Sequence, residues 1–452
     1  MDLIGGDLRR IFARYLATTL GSAVVDSIYI SVDLICVGHY CGPDGSAAIS
    51  CVNPVWSIMI ALGLLLGVGG SVWLSNRRGA GDETAARQYF TVSMEVAAVL
   101  SVALTLVYVF LQEPLLRFFG ADDRLLGLAV EYVQWIAWTV PAFLMGIVLS
   151  SFIRNDGAPG ICAVSLLLGG GVNMVGDVFF VFDFGLGLGA SGAGMATALG
   201  QLVAIGVLGT YFFRKSCGLR LSRPDRGAEM LWRVCGAGFA PAVVDLTFGG
   251  TVILFNRQIM SLAGATELAV FGTVSSIAVL CQNLFYGVGQ AVQPIVSANF
   301  GAGEFGRVAR MRRLFLESSL AMGLVFCLLT ALLPRPLLRL FMSVSRAVAA
   351  VGPGALRVYG LSFLIMGVNV VATYYLESVL RPRQSLVVSL ARGVVFPSGL
   401  VLLLPACLGV GAIWWAMPLT ELLTLGYTLY ALRRDGVGPA AVCVPPSRFE
   451  KP

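Results

Sequence analysis

The chain has 452 residues, 57% of them hydrophobic and 12% charged, with mean hydropathy +0.84 and net charge +6. Soluble chains carry about 25% charged residues, so a water-soluble domain is excluded. The small positive charge gives no ground for a nucleic-acid partner.

Apolar runs long enough to cross a hydrocarbon core recur along the whole chain. Twelve are read, in order: 15–37, 51–74, 91–111, 128–151, 161–182, 192–213, 234–255, 269–297, 314–333, 355–378, 386–404 and 412–432. Backbone groups in lipid must bond to one another, which makes each run a helix. The eighth run is long, holds Pro294, and leaves the membrane before its end.

Lys and Arg give the orientation. With the N-terminus inside, the inner segments carry 23 basic residues, among them Arg9, Arg10, Arg14, Arg77, Arg78 and six in 214–233. The outer loops carry 6: Arg117, Arg124, Arg257, Arg335, Arg339 and Arg346. The positive-inside rule then places both termini in the cytoplasm. No cleavable signal peptide is visible, since the first run is long and lacks a cleavage site.

The sequence repeats itself. Gly67-Val68-Gly69, Ser75 and Gly79-Ala80-Gly81-Asp82 return as Gly287-Val288-Gly289, Ser297 and Gly301-Ala302-Gly303-Glu304. Gly187-Leu188-Gly189-Ala190 returns as Gly409-Val410-Gly411-Ala412. Six spans per half make the halves parallel repeats. The expected organisation is an N-terminal lobe 1–213, a basic linker 214–233, a C-terminal lobe 234–435 and a disordered tail 436–452. Gly79 and Gly301 are read as the left-handed residues that stop their helices.

The ten cysteines show no metal-ligand spacing, and a Cys41–Cys51 disulfide is not expected. His39 reads as an interfacial polar residue.

Ionisable groups inside a span are costly and are functional candidates by default. Asp26, Tyr29 and Asp33 share one face of the first span; Asn173 and Asp177 share one face of the fifth. The sixth holds Thr197 and Gln201, the seventh Asp245, and the twelfth Thr420, Glu421 and Thr424. Asp33, Asp177 and Thr197 lie about 6–8 Å from the outer ends of their spans, so two carboxylates, an amide and a hydroxyl meet at one level. Hard oxygens of this kind suit Na+ or a shared proton, since two close carboxylates in a dry site do not both stay ionised cheaply. Asp26, Asp245 and Glu421 lie near mid-membrane, where acids attract organic cations. Arg392 is a partner for one of them or snorkels inward. Phe285, Tyr286, Met366 and Tyr374 are candidates for an apolar pocket wall.

At these residues the chain resembles the multidrug and toxic compound extrusion (MATE) family, within it the prokaryotic multidrug branch that keeps its coupling acids in the first half. The resemblance rests on Tyr29-x-x-x-Asp33 with Gly38, the Gly79-Ala80-Gly81-Asp82 turn, and Arg154-Asn155-Asp156-Gly157. It continues through Asn173-x-x-x-Asp177, Ala196-Thr197, Gln293-Pro294 and Asn299-Phe300-Gly301-Ala302-Gly303. Relatives commonly carry a proline early in the first span, where this chain reads Thr18-Thr19-Leu20-Gly21-Ser22.

The expected fold is therefore an all-α integral membrane protein of twelve helices. They form two six-helix bundles in a V about a central cleft. The resemblance implies an antiporter of the prokaryotic plasma membrane, acting as a monomer without a cofactor, that exports organic cations in exchange for H+ or Na+. By position Asp33, Asn173, Asp177 and Thr197 match the family's ion-site residues and Tyr29 a pocket tyrosine. Asp26, Asp245, Glu421 and Gln201 remain as substrate-cavity candidates. The alternatives are a flippase for lipid-linked precursors, disfavoured by the acidic mid-membrane charge, and a transport-dead sensor. An intramembrane enzyme would need a nucleophile–base pair or metal ligands, and neither appears.

Overall fold

The computed structural model describes residues 3–215, 217–341 and 345–435; within these, the side chains at 26–31, 34, 43, 46, 248 and 265 fall outside the description. The tail 436–452, and the side chains of Asp26 and Tyr29, therefore lie outside the described residues.

Every regular element described is helical. The order is α1 (Leu8–Tyr40), α2 (Gly42–Gly79), α3 (Glu83–Phe110), the short α4 (Gln112–Phe118), α5 (Asp123–Asn155), α6 (Pro159–Val181) and α7 (Gly189–Gly209). It continues with α8 (Gly227–Leu262), α9 (Ala265–Gly301), α10 (Phe305–Leu332), the short α11 (Pro334–Phe341) and α12 (Arg346–Ser378). A bent span follows, made of α13 (Pro382–Leu390), a π turn (Ala391–Val395) and α14 (Phe396–Leu408). A 3₁₀ stretch (Val410–Trp415) then leads into α15 (Ala416–Arg433).

Ten helices among the described residues are long and apolar enough to cross a membrane. α1 and the Val410–Arg433 segment supply the other two expected spans. The helices outrun the apolar runs: the seventh run, 234–255, sits inside the 36-residue α8. Polar flanks continue a helix wherever water can solvate them, so hydropathy marks the buried stretch and not the helix ends.

The chain condenses into two compact units: Ala13–Ala242 groups with the residues up to Gly6, and the chain from Val243 onward groups with Asp7–Phe12. The basic segment 214–233 belongs with the first. Asp156 holds its start: one carboxylate oxygen accepts from Tyr211 Oη (2.6 Å) and the Gly218 amide (2.8 Å), and the other pairs with Arg78. Further along, Gln88 Nε2 donates to the Arg223 carbonyl (3.0 Å) and to Asp225 (2.8 Å), and the Ser222 amide donates to Thr91 Oγ1 (2.8 Å). In the second unit Asp435 plays a like part, accepting from Tyr375 Oη (2.7 Å) and pairing with Arg312 (2.6 Å).

The repeated Gly-Ala-Gly turns correct one expectation. Gly79 and Gly301 are the last helical residues, and the left-handed positions fall two residues later, at Gly81 (φ 82°) and Gly303 (φ 75°). Ala80 and Ala302 keep right-handed backbone (φ −75° and −74°), so the chain reverses only where no Cβ opposes it. Asp82 then caps α3 by accepting from the Ala85 amide at 3.0 Å, whereas Glu304, one methylene longer, makes no such cap.

Candidate functional site

In the first unit, α6 and α7 approach through small residues. A Cβ on Gly169 would lie 2.7 Å from the Gly200 carbonyl oxygen, and one on Gly176 would lie 2.8 Å from the Ala196 Cβ. This dry contact brings Asn173 and Asp177 of α6 level with Thr197 of α7. α7 also presses on α5, where a Cβ on Gly194 would stand 2.2 Å from the Tyr132 carbonyl oxygen. α1 contributes Asp33.

The side chains close into one cluster. Asp33 Oδ1 accepts from Asn173 Nδ2 (3.0 Å), and Oδ2 accepts from Thr197 Oγ1 (3.0 Å) and Tyr132 Oη (2.8 Å). Asn173 Nδ2 also donates to Thr197 Oγ1 at 3.0 Å. All four residues are buried. Hydrogen bonds to a charged group contribute about 1.5–3 kcal/mol each, so this carboxylate is well supported.

Asp177 is in a different condition. It is fully buried and within hydrogen-bonding reach of Asp33, yet neither of its oxygens meets a donor among the described residues. Asn173 Oδ1, its nitrogen turned to Asp33, is likewise without a donor. Three buried acceptor oxygens beside a supported carboxylate call for a positive species, either a proton between the carboxyls or a small cation among the oxygens. The donor set is hard oxygen throughout, which fits Na+ as well as H+. No group of three or more His, Cys, Asp and Glu side chains occurs among the described residues, so Na+ would rely on Asn173 and Thr197 beside the two acids.

Tyr132 escaped the sequence reading. Interfacial tyrosines are common, and nothing in its neighbours marks it. Its depth was a usable signal: it lies four residues inside the outer end of the run 128–151, the level assigned to Asp33. Gln201 sits one turn beyond Thr197 on α7, half-buried.

The mid-membrane acids of the second unit are not alike. Glu421 is fully buried and neutralised by Arg392, whose Nε donates to it at 2.7 Å. Its other oxygen accepts from Asn369 Nδ2 (2.8 Å), whose Oδ1 accepts from Thr428 Oγ1 (2.8 Å). Arg392 also donates through Nη2 to Gln282 Oε1 (3.0 Å), and Gln282 Nε2 reaches Tyr286 Oη (2.8 Å). Asp245 lies within electrostatic reach of Tyr286, half-buried, with Oδ2 meeting no donor among the described residues. Phe285 is core, Tyr286 packs on Tyr374 at 6.2 Å between ring centres, and Met366 lines a cavity. His39 is exposed, and Cys41 and Cys51 are free thiols.

Known proteins resemble the chain over most of its length. The chain is 24% identical over 407 residues to "Multidrug export protein MepA" of Staphylococcus saprophyticus, covering 88% of each. The structure described as "Outward-facing conformation of a multidrug resistance MATE family transporter of the MOP superfamily" superposes with TM-score 0.89 at 21% identity, over 96% of this chain and 97% of that one. The "MATE multidrug transporter DinF-BH in complex with R6G" superposes with TM-score 0.85 at 28% identity, over 94% and 96%. The MatE family model matches twice, over residues 19–179 and again over 247–402, one match per repeat. The chain is a multi-pass membrane protein that belongs to the MatE family, the multidrug and toxic compound extrusion transporters.

Proposed function

We propose that this protein is a secondary antiporter that exports organic cationic or amphipathic compounds in exchange for H+ or Na+, with Asp33 and Asp177 as the coupling pair. The observation that carries the reading is the imbalance between the two acids. Asp33 holds three donors; Asp177, against it and sealed from solvent, holds none among the described residues. An ion entering there relieves the repulsion between the carboxyls and lets α1, α6 and α7 pack closer, and its departure reverses this. Because the cluster alternates between ion-bound and ion-free packing, it can link a gradient to a conformational cycle. The names of MepA and of the DinF-BH complex support export of drug-like compounds. The same reading places both termini in the cytoplasm of a prokaryotic plasma membrane and needs no cofactor beyond the ion.

The test is efflux of R6G from proteoliposomes under a pH gradient or a sodium gradient imposed separately. One gradient should drive efflux in the parent protein and neither in Asp33→Asn or Asp177→Asn. Parental gradient-driven efflux in both variants sinks the proposed site.

A further inference from the structure

The second unit contains a cavity of about 690 Å³ of empty space, counting the part open to the outside, formed by α8, α9, α12, the π turn and the starts of α14 and α15. Its walls are largely apolar; Phe255 and Phe271 stack at 5.2 Å on one side, and Met366 and Met417 stand on others. The polar side chains are few: Thr251, Ser275, Gln282, Tyr359 and Arg392. Thr251 Oγ1 is engaged with the Gly393 carbonyl at 2.8 Å, which pins the π turn to α8.

Arg392 is the only charged residue in this lining. The turn that carries it has one residue too many for an α-helix, a distortion that recurs at binding sites. A guanidinium has five N–H donors. Nε is taken by Glu421 and one Nη2 hydrogen by Gln282; among the described residues Nη1 meets no acceptor. The side chain is only 9% exposed, so the unused donors face the cavity it lines and not bulk water. Glu421 is fully buried behind it and absent from the lining. What a ligand meets on this wall is therefore positive and donor-rich, although the ion pair as a whole is neutral.

We infer that this cavity is a second ligand site, one that takes an aromatic compound without positive charge whose carbonyl or carboxylate oxygen meets Arg392. A cation is repelled by the guanidinium, and a plain hydrocarbon leaves its donors unanswered. An oxygen acceptor on a flat ring system satisfies both the wall and the stacked aromatics. Such a site admits a ligand class distinct from the cations of the proposed antiport. It rests on the transporter reading for its purpose but not for its existence, since binding is measured without any gradient.

The experiment is equilibrium binding to the detergent-solubilised full chain, by fluorescence anisotropy, with 7-diethylaminocoumarin as the uncharged carbonyl probe and tetraphenylphosphonium as competitor. Two variants are used. Val252→Trp fills the cavity and leaves the ion pair intact. Arg392→Met with Glu421→Met removes both charges together, so no lone buried charge unfolds the protein; thermal unfolding confirms that both are folded. The site predicts saturable coumarin binding in the parent, unaffected by tetraphenylphosphonium, and weakened about tenfold or more in each variant. Unchanged coumarin affinity in the folded double variant overturns the role of Arg392. Displacement of coumarin by tetraphenylphosphonium overturns the assigned ligand class. Failure of R6G efflux alongside intact coumarin binding would count against the antiporter and leave this site standing.

Discussion

The coupling cluster depends on how closely α7 lies against α5, and Gly194→Ala tests that directly. The added Cβ would stand 2.2 Å from the Tyr132 carbonyl oxygen, where ordinary contact begins at 3.4 Å, so the helices must part by about 1.2 Å. Thr197 is one turn along the same face of α7. A shift of that size stretches its 3.0 Å bonds with Asp33 and Asn173 past hydrogen-bonding range. Overpacking costs about 1–3 kcal/mol, and losing a donor to a buried carboxylate costs about 1.5–3 kcal/mol more. The expected result is a clear loss of thermal stability in detergent and gradient-driven R6G efflux slowed about tenfold or more. Gly206→Ala, on the same helix with nothing within 4 Å of its new Cβ, is the control. It should match or exceed the parent in stability, by up to ~1 kcal/mol of helix propensity, and keep full efflux. Parental stability and coupling in Gly194→Ala would refute the argument that backbone contact sets the site's geometry.

Three other outcomes are expected. Arg392→Met alone should destabilise the protein by about 3–5 kcal/mol, because it strands Glu421 in the core, while adding Glu421→Met should restore most of the loss; thermal unfolding of the single and double variants checks this. Asp156→Ala removes the acceptor for Tyr211 and the Gly218 amide and the partner of Arg78. It should cost about 3 kcal/mol and open residues 214–226 to limited proteolysis before the rest of the chain. Gly81→Ala and Gly303→Ala each force a Cβ into the left-handed region at the Gly-Ala-Gly turns and should cost about 1–2 kcal/mol, again by thermal unfolding.

Much of this was open to reading in the sequence, for identifiable reasons. Apolar runs sit where helices cross because lipid leaves the backbone no alternative. Asp33, Asn173, Asp177 and Thr197 stand out because polar groups are scarce in such runs, and counting residues from the outer ends put Asp33, Asp177 and Thr197 at one depth. Depth, however, is one coordinate of three. Glu421 and Asp245 share a level, yet Glu421 is sealed against Arg392, whereas Asp245 is half-buried with one oxygen that meets no donor among the described residues. Which face each helix turns to its neighbours depends on packing that no single span records. Tyr132 was missed because its residue type is ordinary at that level. The helix-stopping glycines were placed two residues early because the pattern Gly-Ala-Gly holds two candidates, and only the backbone path decides between them.

Pro159 and Pro382 each open a helix, and ten residues on stand Gly169 in one and Arg392 in the other. The duplicated halves therefore settle the same span in opposite ways. In the first, two backbones touch with nothing between them, so a displacement of a fraction of an ångström at this seam has no side chain to absorb it. In the second, a long guanidinium arm and its ion pair act as a sprung strut, able to change length by rotating about four bonds. One ancestral bundle has become both a rigid lever and a compliant pad, and a disturbance reaching both would be transmitted by the first and damped by the second.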